Sequence, residues 1–222
     1  MDITLDKDII SSCDGYRSLR FKTEKGDLTT LVAKCNLLGL YVTELIANKL
    51  YRIADNQNNI DMYANDVIYL PENCDELFAM MNLDIIDLRN LDTSRVVSMR
   101  HMFHGCSVHS IMLHGFNTSN VTDMGFMFFG FRAQNLDISN FDTSKVVNMH
   151  GMFGESRVYT ELNLTNFKTD NVNNMKYMFY DSKFKSINLT SFRVKDTTEL
   201  KHIFYGCDSS IKMVDQRLID KL

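Results

Sequence analysis

His101, His104, Cys106, His109 and His114 fall within fourteen residues. Imidazole and thiolate are the usual zinc donors, and His101-x-x-His104-x-Cys106 places three of them within reach of one ion. The spacing nevertheless matches no common zinc module, there is no paired Cys-x-x-Cys, and no other part of the chain restates the ligands, so no metal site and no cofactor are expected. Catalytic signatures are missing too: there is no nucleophile elbow, no glycine-rich phosphate loop and no HExxH. Carboxylates such as Asp92 and Asp142 recur at fixed intervals, which turn chemistry explains.

The side chains that stand out belong to recognition chemistry. Phe126, Phe129 and Phe131 lie off the inward apolar stripe, at columns held elsewhere by His101, His104 and Cys106, and clustered exposed aromatics mark interaction patches. A second candidate surface is the outward side of a sheet, where Asp87, Met112 and Asp137, flanked by Arg89 and His114, would meet a partner. Partner binding is therefore expected at Asp87, Arg89, Met112, His114, Asp137, Phe126, Phe129 and Phe131.

What must position these residues is a repeat. Met102-Phe103, Met127-Phe128, Met152-Phe153, Met178-Phe179 and Ile203-Phe204 follow one another at steps of 25, 25, 26 and 25 residues. Leu91, Phe116, Phe141, Phe167 and Phe192 keep the same phase, as do Leu88, Leu113, Ile138, Leu164 and Leu189. A fixed period of this kind predicts a solenoid, since one unit cannot bury its apolar face alone. Each unit opens with an apolar-polar-apolar triplet such as Leu136-Asp137-Ile138, which predicts a short strand. Thr-Ser pairs (Thr93-Ser94, Thr118-Ser119, Thr143-Ser144) are expected to cap the next segment. Val121, Met124, Met127 and Phe128 then keep a helical spacing. The polar column Asn90, Gly115, Asn140, Asn166 and Ser191 is expected to bridge backbone groups between units.

The run Asn140-Phe141-Asp142-Thr143-Ser144-Lys145-Val146-Val147-Asn148-Met149-His150-Gly151-Met152-Phe153, with Asn117 to Met124 before it, resembles the BspA-like, mycoplasma-type leucine-rich repeat over about residues 68–214. The resemblance implies a curved leucine-rich-repeat solenoid, no catalytic residues and a role in binding other macromolecules. Members are often bacterial surface proteins, and similar repeats occur in protists and mobile elements. The expected fold class is thus α/β, a leucine-rich-repeat solenoid of about five 25-residue repeats with a small α+β N-terminal capping domain.

The domains expected are 1–66 as the N-terminal cap, 67–214 as the solenoid and 215–222 as a C-terminal cap. In the first, Tyr16 to Thr23 alternates as a strand. Leu28, Leu31, Val32, Cys35 and Leu38, then after Gly39 Tyr41, Val42, Leu45, Ile46, Leu50 and Tyr51, suggest two helices or one kinked helix across 28–52. This segment loosely resembles a helix-turn-helix, in which Glu44 would face phosphates or bases with only Lys49 and Arg52 nearby. The simpler expectation is a helical pair plugging one end of the solenoid. Residues 53–65 read as a linker, and Val67 to Leu70 as an entry strand.

The chain has 222 residues, 45% hydrophobic and 23% charged, with a net charge of −4. That balance disfavours a broad nucleic-acid binder, which needs a basic face to displace counterions. No apolar run approaches the ~18 residues of a membrane span. The acidic start lacks the pattern of a secretory signal, and the five scattered cysteines suit reduced thiols, so the cytoplasm is expected. The function expected is a non-enzymatic protein-protein interaction module. The alternatives are a mobile-element-encoded inhibitor of a host defence protein, and a DNA-binding regulator using 28–52. Oligomeric state is left open by the sequence.

Overall fold

A computed structural model describes residues 3–11, 13, 15–23, 28, 35, 41–46, 50–55, 57–64 and 66–222. Its named elements are β1 (Ile3–Thr4), α1 (Lys7–Ser11), β2 (Ser18–Thr23), β3 (Tyr41–Ile46), β4 (Leu50–Ala54), β5 (Asn59–Ala64), β6 (Ile68–Tyr69), β7 (Asn82–Asp87), β8 (Leu91–Asp92), β9 (Ser107–Met112), β10 (Arg132–Ala133), β11 (Arg157–Asn163), β12 (Lys183–Leu189), β13 (Ser210–Met213) and α2 (Gln216–Ile219). Among the described residues the structure is mostly strand and turn. One sheet of ten strands runs β13-β12-β11-β10-β9-β7-β2-β5-β4-β3, and a second of three runs β1-β6-β8.

Repetition sets the register. Ser107 pairs with Arg132, Arg132 with Arg157, and Arg157 with Lys183, all parallel, so each strand joins its counterpart one repeat away. A second line of parallel bridges runs Asn73, Ser98, Asp123, Asn148, Asn174 and Glu199. Between the two lines lie the in-phase apolar columns. Phe78, Phe103, Phe128, Phe153, Phe179 and Phe204 stack with centroids 5.6, 5.4, 5.7, 5.7 and 5.7 Å apart. Such pairs contribute about 0.5–1.5 kcal/mol each beyond the area they bury. Met99, Met102, Met124, Met127, Met149, Met152, Met175 and Met178 are fully buried beside them.

The expected helical piece is a run of tight turns. In one repeat, Met102, His104 and Cys106 donate their N–H groups to the carbonyls of Met99, His101 and Phe103, three residues back. The alternate N–H groups, of Met99, His101, Phe103 and Gly105, donate instead to Asp123, Gly125, Met127 and Phe129 in the next repeat, at 2.9, 2.9, 2.9 and 2.7 Å. Left-handed residues at two fixed columns produce this alternation: Glu76, His101, Phe126, Gly151, Tyr177 and His202, and then Met80, Gly105, Gly130, Glu155, Asp181 and Gly206. An α-helix would send each N–H four residues back and leave none for the neighbouring repeat. The inter-repeat ladder therefore outweighs the cost, about 1–2 kcal/mol, of a side chain in the left-handed region.

The polar columns divide in the same way. As expected, Asn140 Nδ2 donates to Phe116 O at 3.0 Å and Asn166 Nδ2 to Phe141 O at 2.9 Å, while Ser191 Oγ donates to Leu164 O at 3.0 Å. The threonines do not cap their own repeat. Thr93, Thr118, Thr143 and Thr169 are buried, and each hydroxyl both donates to and accepts from one residue of the next repeat, respectively Asn117, Asp142, Lys168 and Arg193.

Strands begin earlier than the triplets suggest, at Ser107, Arg157 and Lys183. Leu136-Asp137-Ile138 is not strand, because β10 stops at Ala133. In β11 the pairing with β12 slips between Val158 and Glu161, a bulge that absorbs the one extra residue of the 26-residue step.

The N-terminal region differs most from expectation. β2 stands where a strand was predicted, but Tyr41–Ile46 and Leu50–Ala54 form an antiparallel pair of strands, so the second helix of the DNA-reading motif does not exist. Tyr41, Val42, Thr43, Ile46, Tyr51 and Ile53 are the branched and aromatic types that fit a pleated surface. Leu28 and Cys35 are helical and buried, and the rest of the first predicted helix lies outside the described residues. Lys49 lies outside them as well. The predicted linker 53–65 holds the end of β4 and all of β5. Between them Asp55 Oδ1 accepts from the N–H groups of Gln57 and Asn59 at 2.8 and 2.9 Å. β2 pairs with β7, and β1 with β6, so the sheets run on across the expected boundary near residue 66. At the other end α2 buries Leu218, and Asp215 accepts N–H groups from Val194 and Arg217.

Candidate functional site

Between the inward residues of each turn run, two columns turn their side chains to solvent: His101, Phe126, Tyr177 and His202, and three residues later His104, Phe129, Tyr180 and Tyr205, with the buried Gly151 and Gly154 at the intervening positions. Repeat stacking brings each ring onto the next. His101 stacks on Phe126 at 4.7 Å and His104 on Phe129 at 5.5 Å. Tyr177 meets His202 at 5.3 Å, and Tyr180 stacks on Tyr205 at 5.8 Å. Within a repeat the two columns touch edge to face, as in Phe126–Phe129 at 5.5 Å and Tyr177–Tyr180 at 5.6 Å.

The third repeat interrupts both columns with glycine, and the rings of the second occupy that space. A Cβ on Gly151 would lie 2.6 Å from Phe126, and one on Gly154 would lie 2.7 Å from Phe129. His150 bridges the gap, 4.6 Å from Phe126 and 5.6 Å from Tyr177. The result is a ladder of half-exposed rings from His101 to Tyr205, the last of which is 64% exposed. Burial, with the charges of His104 and Arg100, holds the His101 imidazole below its ordinary pKa. Burial, with Lys176 and Arg100, does the same for His150.

Phe131 does not belong to this surface. It is fully buried and sits edge to face against Phe128 at 5.3 Å. Its column is Cys106, Phe131, Ser156 and Ser182, all inward; the Cys106 thiol donates to Phe78 O at 2.8 Å, Ser156 to Phe128 O and Ser182 to Phe179 O. Its spacing from Met124, Met127 and Phe128, completing i, i+3, i+4, i+7, could have identified it. Phe126 and Phe129 lie off the inward set as expected, though half-buried rather than exposed. Tyr177, Tyr180, His202 and Tyr205 belong with them and were signalled by the same two columns.

On the sheet, Asp87 pairs in register with Met112 as expected. Asp87 is not free for a partner: it is buried, and Arg89 grips it through Nε at 2.9 Å and Nη2 at 2.7 Å. This grip keeps the Asp87 carboxyl below the usual range. Met112 is half-buried, while Arg89, His114 and Asp137 are exposed. Asp137 lies beyond the end of β10 and accepts the Ser139 N–H at 3.0 Å. The histidine and cysteine group is dispersed: His101 and His104 join the ring ladder, Cys106 enters the core, and His109 and His114 are exposed outside the turn run. Among the described residues no three His, Cys, Asp or Glu side chains gather to hold a metal ion, and no helix is long and apolar enough to cross a membrane.

Repeats stacked strand on strand and ring on ring define a tandem-repeat protein. The chain belongs to the family described as "Mycoplasma protein of unknown function, DUF285", whose model matches residues 72–162 and 97–216. That family is associated with BspA-like repeat proteins. No curated protein and no solved structure matches the chain.

Proposed function

We propose that residues 67–214 form a leucine-rich-repeat solenoid, and that the chain is a non-enzymatic protein-binding module working in the cytoplasm. The ring ladder carries this reading. Tyr177, Tyr180, His202 and Tyr205 present rigid, amphipathic area at little conformational cost, the composition that dominates binding hot spots. Their spacing is fixed by the inter-repeat hydrogen bonds, so the surface is preorganised before a partner arrives. The cytoplasmic part rests on five free thiols, four of them buried, which suit a reducing compartment.

The test is a tagged pull-down from lysate of the cell that encodes the chain, with nuclease present, comparing wild type with Tyr180→Ser/Tyr205→Ser. Both tyrosines are peripheral enough for the fold to persist, which circular dichroism checks. A protein retained by wild type and lost by the variant supports the reading. Equal retention by both, or a catch that nuclease removes, refutes it.

A further inference from the structure

The extra residue of the 26-residue step does more than lengthen the chain. Along β11, Arg157 faces out, Val158 faces in and Tyr159 faces out, after which the bulge leaves Thr160 and Glu161 exposed as well. Tyr159 is 74% exposed, as much as any large hydrophobic side chain of the described residues. β-Bulges re-aim a side chain in this way and concentrate next to functional sites. Tyr159 borders a cleft of about 340 Å³ lined by Arg157, Val158, Tyr159, Lys183, Phe184 and Lys185.

Three cations line that cleft, and Arg132 extends the row, because Arg132, Arg157 and Lys183 are register partners on adjacent strands. Strands lie about 4.8 Å apart, so the cations form a tight row in a chain whose net charge is −4. Arg157 reaches Asp181 only at 3.9 Å, and Lys183 pairs with Asp208 at 2.7 Å across exposed side chains. Among the described residues Arg132 and Lys185 have no ion-pair partner. Like charges set side by side on neighbouring strands are unfavourable by themselves, and an anion laid across them removes the repulsion.

We propose that this cleft is a docking site for a short acidic segment of a partner protein, its carboxylates taken by Arg132, Arg157 and Lys185 and an apolar side chain packed against Tyr159. A protein segment fits better than nucleic acid, because Glu161, Asp181 and Asp208 end the positive field within a few residues and no basic track continues from it. The proposal rests on the reading of the chain as a binding module and adds a second surface, distinct from the ring ladder.

Fluorescence anisotropy tests it with the full chain and a short fluorescein-labelled peptide of glutamates around a central phenylalanine. Binding at low ionic strength is expected, weakening as salt rises. Lys185→Glu is expected to weaken it about tenfold or more, since a like charge then faces the ligand. Lys145→Glu, a charge reversal in a polar turn, should leave it unchanged. Deleting Thr160 restores the 25-residue step and is expected to abolish binding while circular dichroism stays native. An absence of peptide binding at low salt, equal loss in Lys185→Glu and Lys145→Glu, or preferential displacement by oligothymidylate of matched charge would overturn it. Such a result with ladder-dependent capture intact removes the cleft alone, whereas loss of that capture with peptide binding intact removes the ladder.

Discussion

The Thr143 hydroxyl and the Lys168 backbone satisfy each other completely: Oγ1 donates to the Lys168 carbonyl at 2.9 Å and accepts the Lys168 N–H at 2.8 Å. One fully buried side chain thus replaces a pair of backbone hydrogen bonds between successive repeats. Thr143→Val keeps the shape and removes both. Leaving two backbone groups unpaired in the interior is expected to cost about 1–3 kcal/mol, read as a lower urea midpoint, while Thr143→Ser should retain most of the stability. A Val variant as stable as wild type would show that water or a neighbour replaces the hydroxyl.

Gly151 is conserved in conformation but not in type along its column, since His101, Phe126, Tyr177 and His202 adopt the same left-handed backbone. Its glycine is therefore explained by the Phe126 ring lying where a Cβ would go. Gly151→Ala is expected to destabilise by about 1–3 kcal/mol. The double variant with Phe126→Ala should lose less than the sum of the two, with a coupling of about 0.5–3 kcal/mol measured by a double-mutant cycle.

The thiols should separate by burial. Burial pushes the Cys74 and Cys106 thiols up to about 12, and Cys13 and Cys35 are also buried, whereas Cys207 is half-exposed. Thiolate is the reactive form. Titration of the native protein with Ellman's reagent near neutral pH is expected to show one fast thiol, lost in Cys207→Ser, and the other four only on unfolding. Two or more fast thiols would contradict the packing described.

Mild acid should weaken the ring ladder. The folded pKa values of His101 and His150 lie below the ordinary 6.5. As pH falls the unfolded chain takes up protons first, so their contribution is fully present above the unfolded value and is lost as pH drops through it toward the folded values. The carboxylates held low, among them Asp87 and Asp142, act in the opposite region, their contribution being lost only near and below the usual carboxylate range. The melting temperature is expected to fall between about pH 7 and pH 5.5, and His101→Phe/His150→Phe should flatten that fall.

Much of this was legible because a period repeats its evidence. The Phe103, Phe128, Phe153 and Phe179 column, the Met columns and the Asn140 and Asn166 bridges could all be read from phase alone. The turn run was misread because Met99, Met102, Phe103 and Cys106 point inward at i, i+3, i+4 and i+7, the spacing of a helix face. What distinguishes the two is the direction of alternate N–H groups, which no side chain announces. Phe131 was misplaced for the same reason, as one more member of the inward set Val121, Met124, Met127 and Phe128. Residues 41–54 lack a repeat to average over, and there a helical spacing of Tyr41, Val42, Leu45 and Ile46 outvoted their strand propensity. The bulge left a plain trace in the single 26-residue step, though not its location.

Because alternate N–H groups of each turn run point forward, into the carbonyls of the following repeat, the array has a grammar for growth. Whole blocks of 25 residues can be copied or removed without disturbing any column, so reach along the ladder is a property that duplication can tune. A single added residue has no such freedom in the turns, where it would exchange every donor that looks forward for one that looks back. The sheet, which tolerates a slip in pairing, is where a one-residue novelty can survive, and Tyr159 stands at such a slip.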